Sequence, residues 1–253
     1  LSRVTPLTFR PVILRLKSII DLSPDDEAAF EQLPMVIRDF PADQDVVRDG
    51  DRPHQCCMVL SGLTCRYKVI ADGRRQILAF NIPGDLPDLQ SLHLDIMDHS
   101  VATVVPSRLG FVPHAAMREL SERRPGITAA LWRETLIDGA TFRAKITGIG
   151  RMSARARVAH LFCELLLRLD VVGLADGFRY KLPLTQTELG DALGLSVVHV
   201  NRILQDLRTD NIIAVERRTV TILNWEQLKS VGQFDPTYLQ LRAKPSVEIF
   251  RSG

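Results

Sequence analysis

The feature that most limits what this chain can fold into is the run "TQTELGDALGLSVVHVNRILQDLR", Thr185 to Arg208. Thr185 and Glu188 form a capping box: the threonine oxygen accepts from the amide three residues on, and the glutamate reaches back to the cap amide. The helix that starts there carries Leu189 and Leu193 and stops at Gly194, a residue free to take the left-handed conformation that ends helices. Ser196 caps a second helix in which Val200, Ile203, Leu204 and Leu207 fall at i, i+3, i+4 and i+7, one buried stripe. Two short helices joined by a tight glycine-containing turn are a helix-turn-helix. Downstream, "IIAVERRTVTIL" predicts a small hairpin with its tip at Glu216-Arg217-Arg218, a wing. Asn224 and Gln227 then open a final helix containing Trp225 and Leu228.

Fixing the buried stripe also fixes the free face. Val198, Asn201, Arg202 and Gln205 lie opposite it, with Val197 and His199 near the N-terminal end. In a helix-turn-helix this end of the second helix enters the DNA major groove. Arg202 can donate two hydrogen bonds to a guanine edge, Asn201 or Gln205 can pair with adenine, and Val197 or Val198 can pack on a thymine methyl. Ser196, His199, Thr187 and Gln186 are placed for phosphates, and Arg217-Arg218 at the wing tip for the DNA backbone. The competing expectation is a helical pair that packs on protein and never meets DNA. Charge permits the first reading locally, since residues 151–253 hold 14 Lys plus Arg against 11 Asp plus Glu, whereas the whole chain is near neutral at +2.

Upstream, residues 1 to about 40 read as helical, with Ser23-Pro24 a serine cap followed by a first-turn proline. From Asp39 to about Pro113 the pattern becomes short apolar runs broken by turns at Gly50, Gly62, Gly73 and Gly84. That spacing suits a sandwich, barrel or roll. "CRYKVIADGRRQILAF" is the clearest hairpin, turning at Asp72-Gly73, and Tyr67 and Val69 alternating with Lys68 and Ile70 predicts a strand covered on both sides. From Pro125 a helix of about 24 residues is expected, broken by Gly148 and Gly150. Its Ile127, Leu131, Leu136, Ala140 and Ala144 are expected to pack against a second copy of the chain. "SARARVAHLFCELLLRLD", capped by Ser153, forms the next helix and ends before Gly173. The expected organisation is therefore an α+β chain in three parts: residues 1–124 a β-roll with N-terminal helices, 125–150 a dimerisation and connector helix, and 151–253 a winged helix-turn-helix. With 45% hydrophobic residues the chain can bury a real core, yet no apolar run approaches 18 residues, so no membrane span is expected. The N-terminus carries no secretory pattern, and four cysteines are too few for a disulfide scaffold, which makes a reducing cytoplasm the natural setting.

A glycine-punctuated roll, a long connecting helix and a C-terminal winged helix-turn-helix, in that order, resemble the Crp/Fnr family of bacterial transcription regulators across nearly the whole chain. The strongest likeness lies in "LPLTQTELGDALGLSVVHVNRILQDLRTDNII", and "GLSVVHVNR" is similar to one proteobacterial branch. The resemblance implies a cyclic-nucleotide-binding-like double-stranded jelly roll that senses a signal. It also implies a homodimer on a palindromic operator, two recognition helices one DNA turn apart, and recruitment or obstruction of RNA polymerase.

The departures are equally informative. Relatives that read their site with a glutamate and an arginine one turn apart have Val198 at the glutamate position here, while Arg202 keeps the arginine. In "PGDLPDLQSLHLDIMDHSVATV", Leu89 stands where cyclic-nucleotide binders place a glutamate, and His99, before Ser100, where they place an arginine. Without a ribose acceptor and a permanent cation a cyclic phosphate has little to hold it, so the expected signal is not cyclic AMP. Asp85, Leu89, His99 and Ser100 mark the corresponding pocket, and no cofactor is assigned. Asp85, Asp88, His93, Asp95, Asp98 and His99 read as a solvated acidic loop, their spacing matching no metal-ligand pattern. Residues 1–55 lack the cysteines with which oxygen-sensing relatives hold an iron-sulfur cluster; Cys56 and Cys57 should point to opposite strand faces, buried, as should Cys65. No nucleophile elbow, phosphate loop or zinc-protease pair supports an enzyme, and His114 beside Arg118 and Glu119 reads as a helix start. The alternative to a DNA-binding regulator is a roll-type small-molecule, metal or redox receptor that acts through protein partners alone.

Overall fold

In the computed structural model residues 9–242 are described, so the helical reading of residues 1–8 lies outside them. The contacts divide the chain into two compact units, one ending at Asp138 and the other beginning at Gly139.

The first unit opens with helices α1 (Arg10–Ile19) and α2 (Pro24–Glu31). Ser23 caps α2 as expected, its hydroxyl accepting from the Asp26 amide. Strands then begin three residues before Asp39, at Val36. They are β1 (Val36–Phe40), β2 (Asp45–Val47), β3 (Gln55–Ser61), β4 (Thr64–Val69), β5 (Arg75–Asn81), β6 (Ser100–Thr103) and β7 (Ser107–Pro113). They form two antiparallel sheets, ordered β1-β7-β3 and β2-β6-β4-β5. All four spaced glycines adopt positive φ, from 84° to 104°, and each sits in a turn or loop.

Cys57, Val59, Leu109 and Phe111 form one buried cluster on one side of the three-stranded sheet. On its other side Cys56, Met58 and Leu60 join α1, α2 and two further helices, α3 (His114–Arg123) and α4 (Pro125–Arg151). Adjacent Cys56 and Cys57 thus enter separate clusters, as strand alternation requires. Burial pushes both thiols up, so neither is a ready nucleophile. The β4–β5 hairpin turns at Asp72-Gly73 as predicted, but it is not covered on both sides. Val69 and Ile70 are exposed, because the hairpin tip projects beyond the neighbouring strand β6, which pairs only with Thr64 to Tyr67.

One edge of β3 pairs with β7; the other is completed by the loop after β5. The Gly84 amide donates to the Val59 carbonyl at 2.8 Å, the Val59 amide to the Asp85 carbonyl at 3.0 Å, and the Cys57 amide to Asp88 Oδ1 at 2.7 Å. Asp88 thus stands in for a strand carbonyl. It is fully buried, its Oδ2 has no hydrogen-bond partner, and burial raises its pKa from 3.8 to about 7, against the lowering effect of the Cys57 amide. The expectation of a solvated acidic loop is therefore overturned for half of its members. Asp85, Asp88 and His99 are buried, while His93, Asp95 and Asp98 are exposed.

The long helix α4 runs through Gly148 and Gly150 rather than breaking there, and ends at Arg151, before the Ser153 that caps α5 (Ala154–Val171). The unit boundary falls inside α4, where the sequence suggested a separate connector. One face of its first half is not free for a partner: Ile127, Ala130 and Leu131 are buried in the core with α1 and β3. The placement of Ile127 and Leu131 on a self-association stripe is therefore corrected. Leu136 remains exposed, and Ala140 and Ala144 are half-buried.

The second unit continues with β8 (Ala175–Asp176), β9 (Arg179–Lys181), α6 (Gln186–Leu193), α7 (Val197–Thr209), β10 (Ile213–Glu216), β11 (Thr219–Ile222) and α8 (Trp225–Gly232). The strands form one antiparallel sheet, β10-β11-β9-β8. The Thr185–Glu188 capping box closes on both sides, and Ser196 and Asn224 cap α7 and α8. Gly194 ends α6 at φ 65°, and the Leu195 amide donates to the Gly190 carbonyl at 3.0 Å. The turn is so tight that a Cβ on Gly190 would lie 2.5 Å from the Leu195 carbonyl oxygen.

Two outcomes test this packing. Because Asp88 keeps its proton between pH 3.8 and about 7, where the unfolded chain has lost it, stability falls as pH rises through that window and levels off above it. The decline is at most about 1.4 kcal/mol per pH unit. Asp88→Asn, which retains an acceptor for the Cys57 amide, should flatten it in urea denaturation run from pH 5 to 8; an unchanged slope would assign it elsewhere. Gly190→Ala should destabilise by about 1–3 kcal/mol through the turn clash, against the roughly 1 kcal/mol gain that helix propensity alone would give. A more stable variant would mean that the turn relaxes freely.

Candidate nucleic-acid interface

The buried stripe of α7 falls where its sequence put it. Val200, Ile203, Leu204 and Leu207 are all buried, so Val198, Asn201, Arg202 and Gln205 stand exposed on the opposite face. Val197 is also exposed, whereas His199 is half-buried, rotated toward the flank of the helix. At the start of α6, Thr187 is exposed and Gln186 half-buried, and Ser196 spends its hydroxyl on the His199 amide at 3.3 Å. The remaining first-turn amides of α7 form a positive helix end suited to an anion. The first acidic residue of the helix is Asp206, in its second half.

The wing is built as β10 and β11 joined by a two-residue turn, Arg217 and Arg218, both at positive φ of 47° and 63°. That geometry usually takes Asn-Gly or Gly-Gly. Two arginines there accept backbone strain and place two exposed guanidinium groups at the tip. The Leu182 amide donates to the Arg218 carbonyl at 2.8 Å, tying the tip to the strand before α6.

Several positioning residues carry no separate signal in the sequence. Arg157 on α5 donates to the Leu193 carbonyl at 2.6 Å, satisfying the last turn of α6 next to Gly194. Arg155, two residues earlier on α5, pairs with Asp210 at the C-terminal cap of α7 at 2.5 Å. Together they hold the ends of both helices against α5. Helical spacing gives α5 a stripe but not the partners of its arginines. The β8–β9 hairpin was also missed, although Asp176-Gly177 carries the same two-residue signal as Asp72-Gly73.

The four roll residues marked as a pocket are each engaged within the chain. Asp85 Oδ2 accepts from the Ile82 amide at 2.8 Å, and its Oδ1 lies 3.9 Å from Arg15 Nε. Leu89 is packed in the core cluster. His99 places Nδ1 2.8 Å from Asp98 Oδ1 and Nε2 3.4 Å from Gln90 Nε2, and Ser100 Oγ accepts from the Asp49 amide at 3.0 Å. His114 begins α3, buried, with Nε2 3.0 Å from Ser91 Oγ; burial, helped by Arg118, lowers its pKa. Among the described residues no group of three or more His, Cys, Asp or Glu is arranged to hold a metal ion, and no helix is long and apolar enough to cross a membrane.

Residues 37–124 match the family model described as a cyclic nucleotide-binding domain, and residues 156–231 match the Crp-like helix-turn-helix domain. The transcriptional activator protein FnrL of Cereibacter sphaeroides is 26% identical over 230 residues, 88% of each chain. The nitrogen fixation regulation protein FixK of Rhizobium meliloti is 25% identical over 201 residues, 78% of this chain and 88% of that one. The solved structure of FixK2 from Bradyrhizobium japonicum superposes with a TM-score of 0.71 at 24% identity, covering 79% of this chain and 98% of that one. These relatives are regulators, not enzymes. A roll matched by the cyclic nucleotide-binding model and a winged helix-turn-helix matched by the Crp-like model, in that order and with relatives along most of their length, make this chain similar to the DNA-binding transcription regulators of the Crp/Fnr family.

Proposed function

We propose that the protein acts as a homodimer on a palindromic operator, with the two α7 helices in successive major grooves and the wing arginines on the backbone. The observation that carries this reading is the α7 face: Asn201, Arg202 and Gln205, all base-edge donors, stand exposed around Val198 on a capped helix beside a basic wing tip. Arg202 pairs bidentately with guanine, Asn201 or Gln205 with adenine, and Thr187, Gln186, Ser196 and His199 contact phosphates. The setting is the cytoplasm, and the bound protein recruits or obstructs RNA polymerase.

The self-association surface is the outer face of α4. Trp132, Leu136, Ile146 and Ile149 are 66%, 53%, 69% and 43% exposed, too much apolar surface for a helix left in water. Positions 132, 136, 139, 143, 146 and 150 alternate steps of four and three, the repeat that lets two helices pair along a seam. Ala140 and Ala144 flank it and allow close approach. A signal at the roll reaches DNA by biasing this helix. The signal is not cyclic AMP, since Leu89 is an apolar core residue and His99 already faces Asp98 and Gln90.

Mobility shifts with the upstream region of its own gene, run at several salt concentrations, test the reading. A sequence-preferring complex with steep salt dependence supports it. Absence of any specific shift, with or without cell extract as a ligand source, favours the alternative of a receptor that acts through protein partners. Leu136→Glu should yield monomers by analytical ultracentrifugation that fail to shift DNA, and an intact dimer would refute the seam. Arg202→Ala should cost on the order of 1–3 kcal/mol at cognate sites and relax preference at one position per half-site. A uniform loss across all sequences would make it a phosphate contact.

A further inference from the structure

Val198 is 81% exposed, the most exposed of the large apolar side chains among the described residues, and it does not belong to the α4 seam. Its neighbours on the free face are polar: Asn201, Arg202 and Gln205 lie within about 60° of it around the helix, at about 100° per residue. Val197, by the same geometry, lies about 100° off that face, and it is only 44% exposed. A lone valine among hydrogen-bonding side chains offers no patch broad enough for a protein partner. It suits a small apolar group set among polar edges, and in a DNA groove that group is the C5-methyl of thymine.

We propose that Val198 is a specificity-determining residue, packing its two methyls on a thymine methyl in each half-site. Val198 stands one helical turn, about 6 Å, before Arg202 on the same face, so the two read base pairs one or two steps apart. The inference rests on the groove reading of α7 and goes beyond it by naming the base and the contact. It also separates the two valines, which the sequence left equivalent: Val198 faces the bases, Val197 the flank.

Selection of binding sites from a random-sequence duplex pool tests it, using the full chain and running the pool once with thymine and once with deoxyuridine in its place. The expected consensus holds a thymine near the Arg202 guanine whose enrichment disappears in the uracil pool. On the selected operator, uracil at that position should weaken wild-type binding about 4-fold per half-site, which is about 0.8 kcal/mol, the burial of one methyl-sized group. Val198→Ala should reduce the thymine-to-uracil ratio to near one. A consensus equally strong in both pools overturns the methyl contact while leaving groove reading intact. Loss of the discrimination in Val197→Ala but not in Val198→Ala overturns the choice of valine. No enrichment in either pool overturns the groove reading and this inference with it.

Discussion

The rotational phase of α4 is the constraint on which much of this structure depends. A helix has one orientation about its axis, and here the first unit consumes it. Ile127, Ala130 and Leu131 enter the core. One turn further, buried Glu134 accepts from Arg15 of α1 at 3.3 Å, and Asp138 holds Arg66 of β4 in a bidentate pair. Buried ion pairs of this kind add little net stability because desolvation offsets attraction, but their geometry is exacting. They fix α1, the roll and α4 in one register. The face opposite them, with Trp132 and Leu136, is left outward by default.

The same economy governs the roll's loop. Gly84, Asp85 and Asp88 complete the free edge of β3, so this loop is bonded to the chain itself. Asp85 also approaches Arg15, which in turn holds Glu134. A change in this loop therefore has a short path of charged contacts to α4, all within one unit. Below about pH 7 Asp88 keeps its place without the charge that a carboxylate usually carries, because a buried anion with one unpartnered oxygen is costly.

In the second unit, precision comes from the ends of helices. The turn between α6 and α7 is held by Gly194, by the lack of a side chain at Gly190, and by Arg157 on the Leu193 carbonyl. Each removes freedom from the angle between the two helices. The buried Val200–Leu207 stripe leaves Val198, Asn201 and Arg202 exposed, and these small contacts fix the direction in which that face points.

Caps, turns and stripes were determined by the sequence alone. The Thr185–Glu188 box, Gly194, the Ser196 cap and the Val200 to Leu207 stripe act over three to seven residues, where the backbone satisfies its own hydrogen bonds whatever lies beyond. The hairpin at Asp72-Gly73 and the roll's glycine rhythm are local in the same sense. Only the tertiary structure decided which apolar residues of α4 are used up internally, since Ile127, Leu131 and Leu136 look alike until α1 and β3 claim the first two. It also decided that Asp85 and Asp88 are buried, that Val69 and Ile70 are not, and that Arg155 and Arg157 hold the ends of α7 and α6. Each of these depends on contact between residues distant in the chain, and periodicity within one segment carries no information about what packs against it.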